Sequence, residues 1–268
     1  MIKCSIIIVN YNTGDVLNQV VTQIINSQIV EEVIVVDNCS IDNSMQLLQS
    51  HDKLLTFNRK KNHGFASSCN FGAKFSNSDY LLFLNPDCFI QEKALIQLLK
   101  DLNISKTAGI IGCMVTNPDG SEQRASRRRL PTLMRAIKTF SGIEVLAKYC
   151  HCFTGVNLNH QSLKNHTYEV EAVSGALILI KKQVFYEINT FDEDYRLHFE
   201  DLDLFKRCLN NGNTILLNPQ VKAIHHQGLS SKSNPSVAEL KKDGMNRYFY
   251  KHCSYFSYLI VKTVNKIL

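Results

Sequence analysis

No apolar run in this chain approaches the roughly 18 residues that a membrane-spanning helix requires. Met1 to Val9 has neither the length nor the cleavage pattern of an export signal, so a cytoplasmic protein is expected. None of the nine cysteines forms a CxxC pair. Cys150-His151-Cys152 has no second half at a metal-binding spacing, which leaves the cysteines as reduced thiols in the core or on the surface. No GxGxxG follows the first strand, and that counts against a nicotinamide dehydrogenase. There is no internal repeat and no low-complexity segment. Basic residues exceed acidic ones only by 30 to 24, a formal charge of +6. That balance is too weak to imply nucleic acid, but it suits an anionic substrate or a membrane surface.

What is present is an ordinary globular composition, 44% hydrophobic over 268 residues. Such a length fits one α/β domain with extensions as well as two domains. Apolar β-branched runs at Cys4–Val9, Val33–Val36, Tyr80–Leu84 and Gly109–Cys113 read as strands buried on both faces. Leu54–Phe57 reads as a weaker one. Helical stripes lie between them, at 15–27, from a Ser40/Asp42 cap to about Ser50, at 66–75 and at 91–102. This alternation calls for a mostly parallel sheet flanked by helices. The pattern loosens from Asn117 to Val173. It resumes as a strand at 173–180, helices near 181–188 and 201–211, and a short strand at 214–217.

The chemistry-bearing residues cluster where strands end, the rim at which α/β folds bind ligands. Asn10 and Tyr11 follow the first strand, and Tyr11 would either contact a base or anchor the turn. Asp37 and Asn38 follow the second; Asp37 would accept a base imide N–H or cap what comes next. Asn62 and Gly64 precede a helix whose N-terminus favours negative charge, and Gly64 would let backbone approach a phosphate or ribose. Asn85-Pro86-Asp87 ends the Tyr80–Leu84 strand, with Pro86 stopping the ladder. Asp87 there is a hard oxygen donor suited to a divalent cation on a diphosphate. Residues 191–203 pack six carboxylates into a partly apolar segment. Within it, Glu200 and Asp201 are candidate general bases, while Asp203 reads as favourable charge at a helix start. His225 and His226, before Gly228 and Ser230, are candidate metal ligands.

In this order, these pieces resemble the family 2 glycosyltransferases of the GT-A fold, and within them the rhamnosyltransferase-like branch of O-antigen and surface-polysaccharide synthesis. The likeness rests on Ser5–Asn12, Val35–Asn38 with Ser40 and Asp42, Asn62–Gly72, Leu84–Asp87, Ser174–Ala176, Phe199–Asp201 with Asp203, and His225-xx-Gly228-x-Ser230. It implies an inverting transfer from a nucleotide-sugar, with Mg2+ or Mn2+ at the diphosphate. Residue by residue it implies Tyr11 and Asp37 on the base, Asn62 and Gly64 on the nucleoside and phosphate, and Gly175 and Ala176 near a sugar. It also implies Asp201 as base with Glu200 as runner-up, and Asp87 as the last acid of the metal motif. Asn85 stands where that motif often has its first acid, so His225 or His226 gains weight as a second ligand. The expected donor is dTDP-L-rhamnose. UDP-sugar-dependent galactosyl-, glucosyl- or galactofuranosyltransfer and a non-catalytic nucleotide-binding scaffold are the alternatives. The expected acceptor is a glycan or a polyprenyl-diphosphate-linked sugar.

These readings place a glycosyltransferase domain at 1–230, with a nucleotide-binding half to about 116 and an acceptor half beyond it. A C-terminal helical extension follows at 231–268. From Lys241 it carries six Lys/Arg and one acid, with six aromatics. It would touch the cytoplasmic face of an inner membrane, pack on the core, or pair two chains as a homodimer. The basic cluster Arg124, Arg127, Arg128 and Arg129 would face a diphosphate, lipid headgroups or solvent.

Overall fold

The computed structural model describes residues 2–226 and 235–267. Gly228, Ser230 and the boundary drawn at 230 lie outside them. In chain order the elements are β1 (Cys4–Asn10), α1 (Val16–Ile25), β2 (Val30–Asp37), β3 (Leu54–Asn58), α2 (Phe65–Ala73), β4 (Tyr80–Leu84), β5 (Cys88–Ile90), α3 (Glu92–Ile104) and β6 (Ala108–Thr116). Next come β7 (Arg127–Arg128), α4 (Leu133–Phe140), two 3-10 turns at Ile143–Lys148 and His151–Phe153, β8 (Tyr168–Glu169) and β9 (Ala172–Val173). The chain closes with β10 (Leu177–Lys181), α5 (Lys182–Glu187), α6 (Glu200–Asn210), β11 (Thr214–His225), α7 (Pro235–His252) and α8 (Tyr255–Ile267).

The main sheet has the order β3-β2-β1-β4-β10-β6-β11-β5, with β8 on β11. β3, β2, β1 and β4 run parallel, as do β6 and β11. β10 lies antiparallel between β4 and β6, and β5 antiparallel on β11. Strand periodicity sorts the core into two layers. Ile7, Ile34, Val36, Leu81 and Phe83 face α2, α5, α6 and α7 on one side. Ile6, Ile8, Val35, Leu82 and Leu84 face α1 and α3 on the other. The α1 stripe buries Leu17, Val20, Val21, Ile24 and Ile25, as its spacing requires.

Three expectations are corrected. No helix follows Ser40: Asp42 accepts from the Gly14 N–H at 2.8 Å and the Ser44 hydroxyl at 2.6 Å. Ser40 Oγ accepts from the Asn12 N–H at 2.9 Å. The would-be caps thus bond back to the β1–α1 turn, and the segment folds as turns. The strand read at 173–180 is two strands broken at Ser174–Ala176. The strand read at 214–217 runs on to His225, because a register irregularity between Asn218 and Lys222 absorbs Pro219.

The C-terminal helices dock on the core. Tyr248 and Phe249 of α7 are fully buried. Asp203, with no exposed surface, meets Arg207 at 2.7 Å, Lys251 at 2.8 Å and His252 at 2.7 Å. Its bonds to these partners outweigh burial and lower its carboxyl below the usual range. Their contribution is present above the unfolded aspartate pKa and is lost as pH falls through the folded one. Asp203→Asn is expected to cost about 3–5 kcal/mol, the magnitude of breaking a buried charge cluster from one side. Urea denaturation measures this; a change below about 1 kcal/mol would contradict it.

Candidate active site

Register places the candidate residues on one rim. Asn10 lies opposite Asp37, Ile8 opposite Leu84, Leu84 opposite Leu177, and Cys88 opposite His225. Asn10 is buried and donates from Nδ2 to Asp37 Oδ1 at 2.8 Å, while the Ser40 N–H donates to Asp37 Oδ2 at 3.0 Å. Asp37 is thereby fixed, with a second lone pair left on each oxygen. Tyr11 stands on the same rim, 40% exposed. Asn38 Nδ2 donates to Asn62 Oδ1 at 2.8 Å, and that oxygen also accepts the Gly64 N–H at 2.9 Å. The Asn38 amide oxygen takes the His63 N–H at 2.9 Å. Gly64 has φ +86°, and a Cβ there would lie 2.8 Å from the Arg196 carbonyl oxygen. The close approach its missing side chain permits within the fold is that of the Arg196 backbone.

Beyond β4, Asp87 Oδ1 lies 3.0 Å from His225 Nε2, and Asn85 Nδ2 lies 3.3 Å from the same nitrogen. The other ring nitrogen, Nδ1, is 3.0 Å from Gln123 Oε1. Gln123 is itself oriented, because its Nε2 donates to the His225 carbonyl at 2.8 Å and to Asn117 Oδ1 at 3.1 Å. Its Oε1 must then accept, so Nδ1 carries a proton and Nε2 is left facing Asp87, where it would offer its lone pair to a cation. This is the arrangement by which an outer partner fixes a metal-ligating imidazole. His226 points away along the strand: it is exposed, with its ring 5.2 Å from Phe89. A carboxylate oxygen beside an imidazole nitrogen suits Mn2+ and, less well, Mg2+. Among the described residues no group of three or more His, Cys, Asp or Glu gathers around a common point. Substrate oxygens and water would complete the coordination. Sequence reasoning missed Gln123, which lies 102 residues from His225 and belongs to no motif.

The third group adjoins the second through backbone: the Asn85 N–H donates to the Ala176 carbonyl at 2.9 Å. A Cβ on Gly175 would fall 2.6 Å from Asp201 Oδ2. Asp201 thus packs directly on the Ser174–Ala176 break. Its Oδ1 accepts the Leu202 N–H at 2.8 Å and its Oδ2 accepts from Arg128, whose guanidinium also reaches the Val173 carbonyl at 2.7 Å. The α6 helix begins after His198 (φ +67°) and Phe199 (φ +69°), two consecutive left-handed residues that are not glycine. Such strain persists where surrounding structure enforces it. Part of that enforcement comes from α7, where a Cβ on Gly244 would lie 2.6 Å from the His198 carbonyl oxygen. The C-terminal helix therefore supports the segment that presents Asp201.

Glu200 is buried beside Asp201, and its Oε2 has no hydrogen-bond partner. Burial first, and the Asp201 charge second, push its carboxyl up to about 8 from the ordinary 4.5. Between those values the folded state holds a proton that the unfolded chain has released, so stability falls as pH rises through this window. Glu200→Gln removes the effect. The variant is expected to gain melting temperature over wild type as pH rises from 5 to 8.5; parallel curves would contradict the assignment.

The four clustered arginines face acids. Arg124 meets Glu144 at 2.6 Å, Arg127 meets Glu122 at 2.8 Å, Arg129 meets Glu171 at 3.1 Å, and Arg128 meets Asp201. A diphosphate or headgroup role for the cluster gains nothing from these pairings.

An open sheet with this strand order, and with acidic residues at the ends of its central strands, is the architecture of GT-A glycosyltransferases. Residues 5–160 match the glycosyl transferase family 2 model, and the chain belongs to that family. It is 26% identical over 251 residues to the low-salt glycan biosynthesis hexosyltransferase Agl10 of Haloferax volcanii, covering 91% of this chain and 74% of that protein. It is 27% identical to the N-acetylglucosaminyl-diphospho-decaprenol L-rhamnosyltransferase of Mycobacterium tuberculosis, over 59% of this chain and 50% of that one. With rhamnosyltransferase WbbL of Escherichia coli K12 it shares 26% identity over 59% of this chain and 56% of that one. The chain thus spans about half the length of these last two relatives. Among solved structures, GalNAc-T7 with UDP, GalNAc and Mn2+ superposes with a TM-score of 0.66 at 13% identity, covering 100% of this chain and 54% of that one. The mannosyltransferase PcManGT of Pyrobaculum calidifontis, with GDP-Man and Mn2+, gives 0.63 at 14% identity, covering 93% and 63%. At these identities the likeness is one of fold.

Proposed function

We propose that this chain is an inverting, divalent-metal-dependent glycosyltransferase of surface-polysaccharide synthesis. Its donor is a nucleoside-diphosphate sugar, with dTDP-L-rhamnose the leading candidate. Its acceptor is a glycan or a polyprenyl-diphosphate-linked sugar. The observation that carries this reading is the placing of three groups on one rim: Asp37 with Asn38, Asp87 with His225, and Asp201 against Gly175. The rhamnose preference is supported by the names of the mycobacterial and E. coli relatives, and the lipid-linked acceptor by that of the mycobacterial one. Mn2+ is supported by the Asp87–His225 donor pair and by fold neighbours that hold it.

In this reading Asp37 accepts the imide N–H of the base, and Tyr11 lies along the nucleoside. Asn62 and Gly64 close around the ribose and phosphate side, held by Asn38. Asp87 and His225 Nε2 would hold the cation, which when bound neutralises the charge growing on the departing diphosphate. Asn85, within reach of His225 Nε2, orients that pair. Gly175, whose missing Cβ admits the Asp201 carboxylate, and Ala176 beside it border the sugar subsite. The acceptor oxygen forms a bond to the anomeric carbon as the bond from that carbon to the diphosphate breaks. The acceptor proton passes to Asp201, on the face opposite the leaving group, so one displacement inverts the centre. Each Asp201 oxygen keeps a lone pair beyond its bonds to Leu202 and Arg128, and the carboxylate retains 12% exposure. Product NMR tests the stereochemistry: an anomeric centre inverted relative to the donor is expected, and retention would refute single displacement.

A further inference from the structure

The described residues include 21 exposed large hydrophobic side chains, and 12 of them fall in two short stretches. One is α4 with the 3-10 turn after it: Met134, Ile137, Phe140 (60% exposed), Ile143, Val145, Leu146 and Tyr149 (77%). The other is the C-terminal helical pair: Tyr250, Tyr255, Phe256 (70% exposed), Leu259 and Val264. Scattered surface apolar groups need no explanation, but such a concentration does. Both helices already satisfy the core with their other face. α4 turns Leu133 and Ala136 inward, and α8 turns Tyr258 and Val261 inward, onto one shared cluster. Cys253, at the α7–α8 turn, has its sulfur 3.9 Å from the carbonyl of Pro131, at the head of α4. The start of α8 and the start of α4 thus meet on one side of the core.

Their unpaired charge is basic. Residues 255–267 contain Lys262 and Lys266 and no acid; residues 133–149 contain Lys138, Lys148, Arg135, which is paired with Glu171 at 2.6 Å, and a single acid, Glu144. Glu144 is buried and held by Arg124, Thr139 and Asn157, so it adds no negative charge to the surface. Apolar side chains flanked by lysine and tyrosine, with no unpaired carboxylate in either segment, match the headgroup region of an anionic bilayer. The 3-10 turn also walls a cavity of about 560 Å³ lined by Gln123, Arg124, Glu144, Val145 and His160. Gln123 is the residue that orients His225, so this face lies one side chain from the metal-ligand candidate.

We infer that α4, its following 3-10 turn and α8 form a docking face for an anionic phospholipid membrane. The inference rests on this surface and not on the proposed donor or transfer chemistry. Truncating the C-terminus would not test it, because α7 supports the strained approach to Asp201. Vesicle flotation of the full chain does, with phosphatidylglycerol/phosphatidylcholine vesicles against pure phosphatidylcholine. Wild type is expected to float with the anionic vesicles, less so in 1 M salt, and weakly with the neutral ones. Phe140→Asp and Phe256→Asp are each expected to lower the bound fraction at least about 10-fold, with circular dichroism and thermal unfolding unchanged. Failure of wild type to bind anionic vesicles, or binding by either variant equal to that of wild type, would overturn the inference. So would a wild-type dimer in light scattering that both variants convert to monomer, since a second copy would then own the face. None of these readouts involves sugar transfer, so their failure leaves the proposed function standing.

Discussion

Asp201→Asn is expected to lower turnover by about 1,000-fold, within the range assigned to a positioned general base, while donor affinity stays near wild type. The amide keeps the shape and retains an oxygen for Arg128 or the Leu202 N–H, so the α6 start is preserved. What it cannot do is take a proton from an attacking hydroxyl. An acceptor alcohol is a weak nucleophile at neutral pH, and its proton must leave as the new bond forms. Glu200 is the competing base, and its environment argues against it. It is buried, its raised pKa keeps it protonated at neutral pH, and Oε2 has no partner. Glu200→Gln should therefore keep most activity. Single-turnover rates with saturating donor separate the two, and the opposite ranking of the variants would reverse the assignment.

The second large effect is expected at the metal-ligand pair. Asp87→Ala and His225→Ala should each weaken Mn2+-stimulated donor binding by at least the roughly 10–100-fold typical of losing even an outer partner of a metal site. The nucleoside alone, which needs only the Asp37 side of the rim, should bind both variants unchanged. Gln123→Leu should act in the same direction and less strongly, because it frees the imidazole without removing it. Calorimetric titration of nucleoside diphosphate with and without Mn2+ reads this directly. Donor affinity unaltered in Asp87→Ala with the metal present would dismiss Asp87 as a ligand.

Strands buried on both faces were legible because their apolar runs end at identifiable turn residues, as Tyr80–Leu84 does at Asn85-Pro86. The sheet's odd strand was not: nothing in Leu177–Lys181 distinguishes an antiparallel central strand from a parallel one. Local patterning failed at Ser40–Ser50 because Asp42 and Ser40 have the same chemistry whether they cap a helix or tie down a turn. Asp203 was read as dipole compensation for its own helix. Its partners Lys251 and His252 lie nearly 50 residues on, beyond the reach of spacing arguments. The Asp201–Arg128 pair, and the part played by Gln123 at His225, escaped for the same reason. Each joins residues made neighbours only by the fold.

The central claim is metal-assisted transfer from a nucleotide-sugar. Its most direct test is nucleoside-diphosphate release by the full chain from a panel of dTDP- and UDP-sugars, with and without Mn2+, in the presence of a polyprenyl-diphosphate-linked acceptor. Mn2+-stimulated release from dTDP-L-rhamnose, lost in Asp201→Asn, is the result expected. Tight nucleotide binding with no release from any donor, metal and acceptor supplied, would contradict the account and identify a nucleotide-binding scaffold instead.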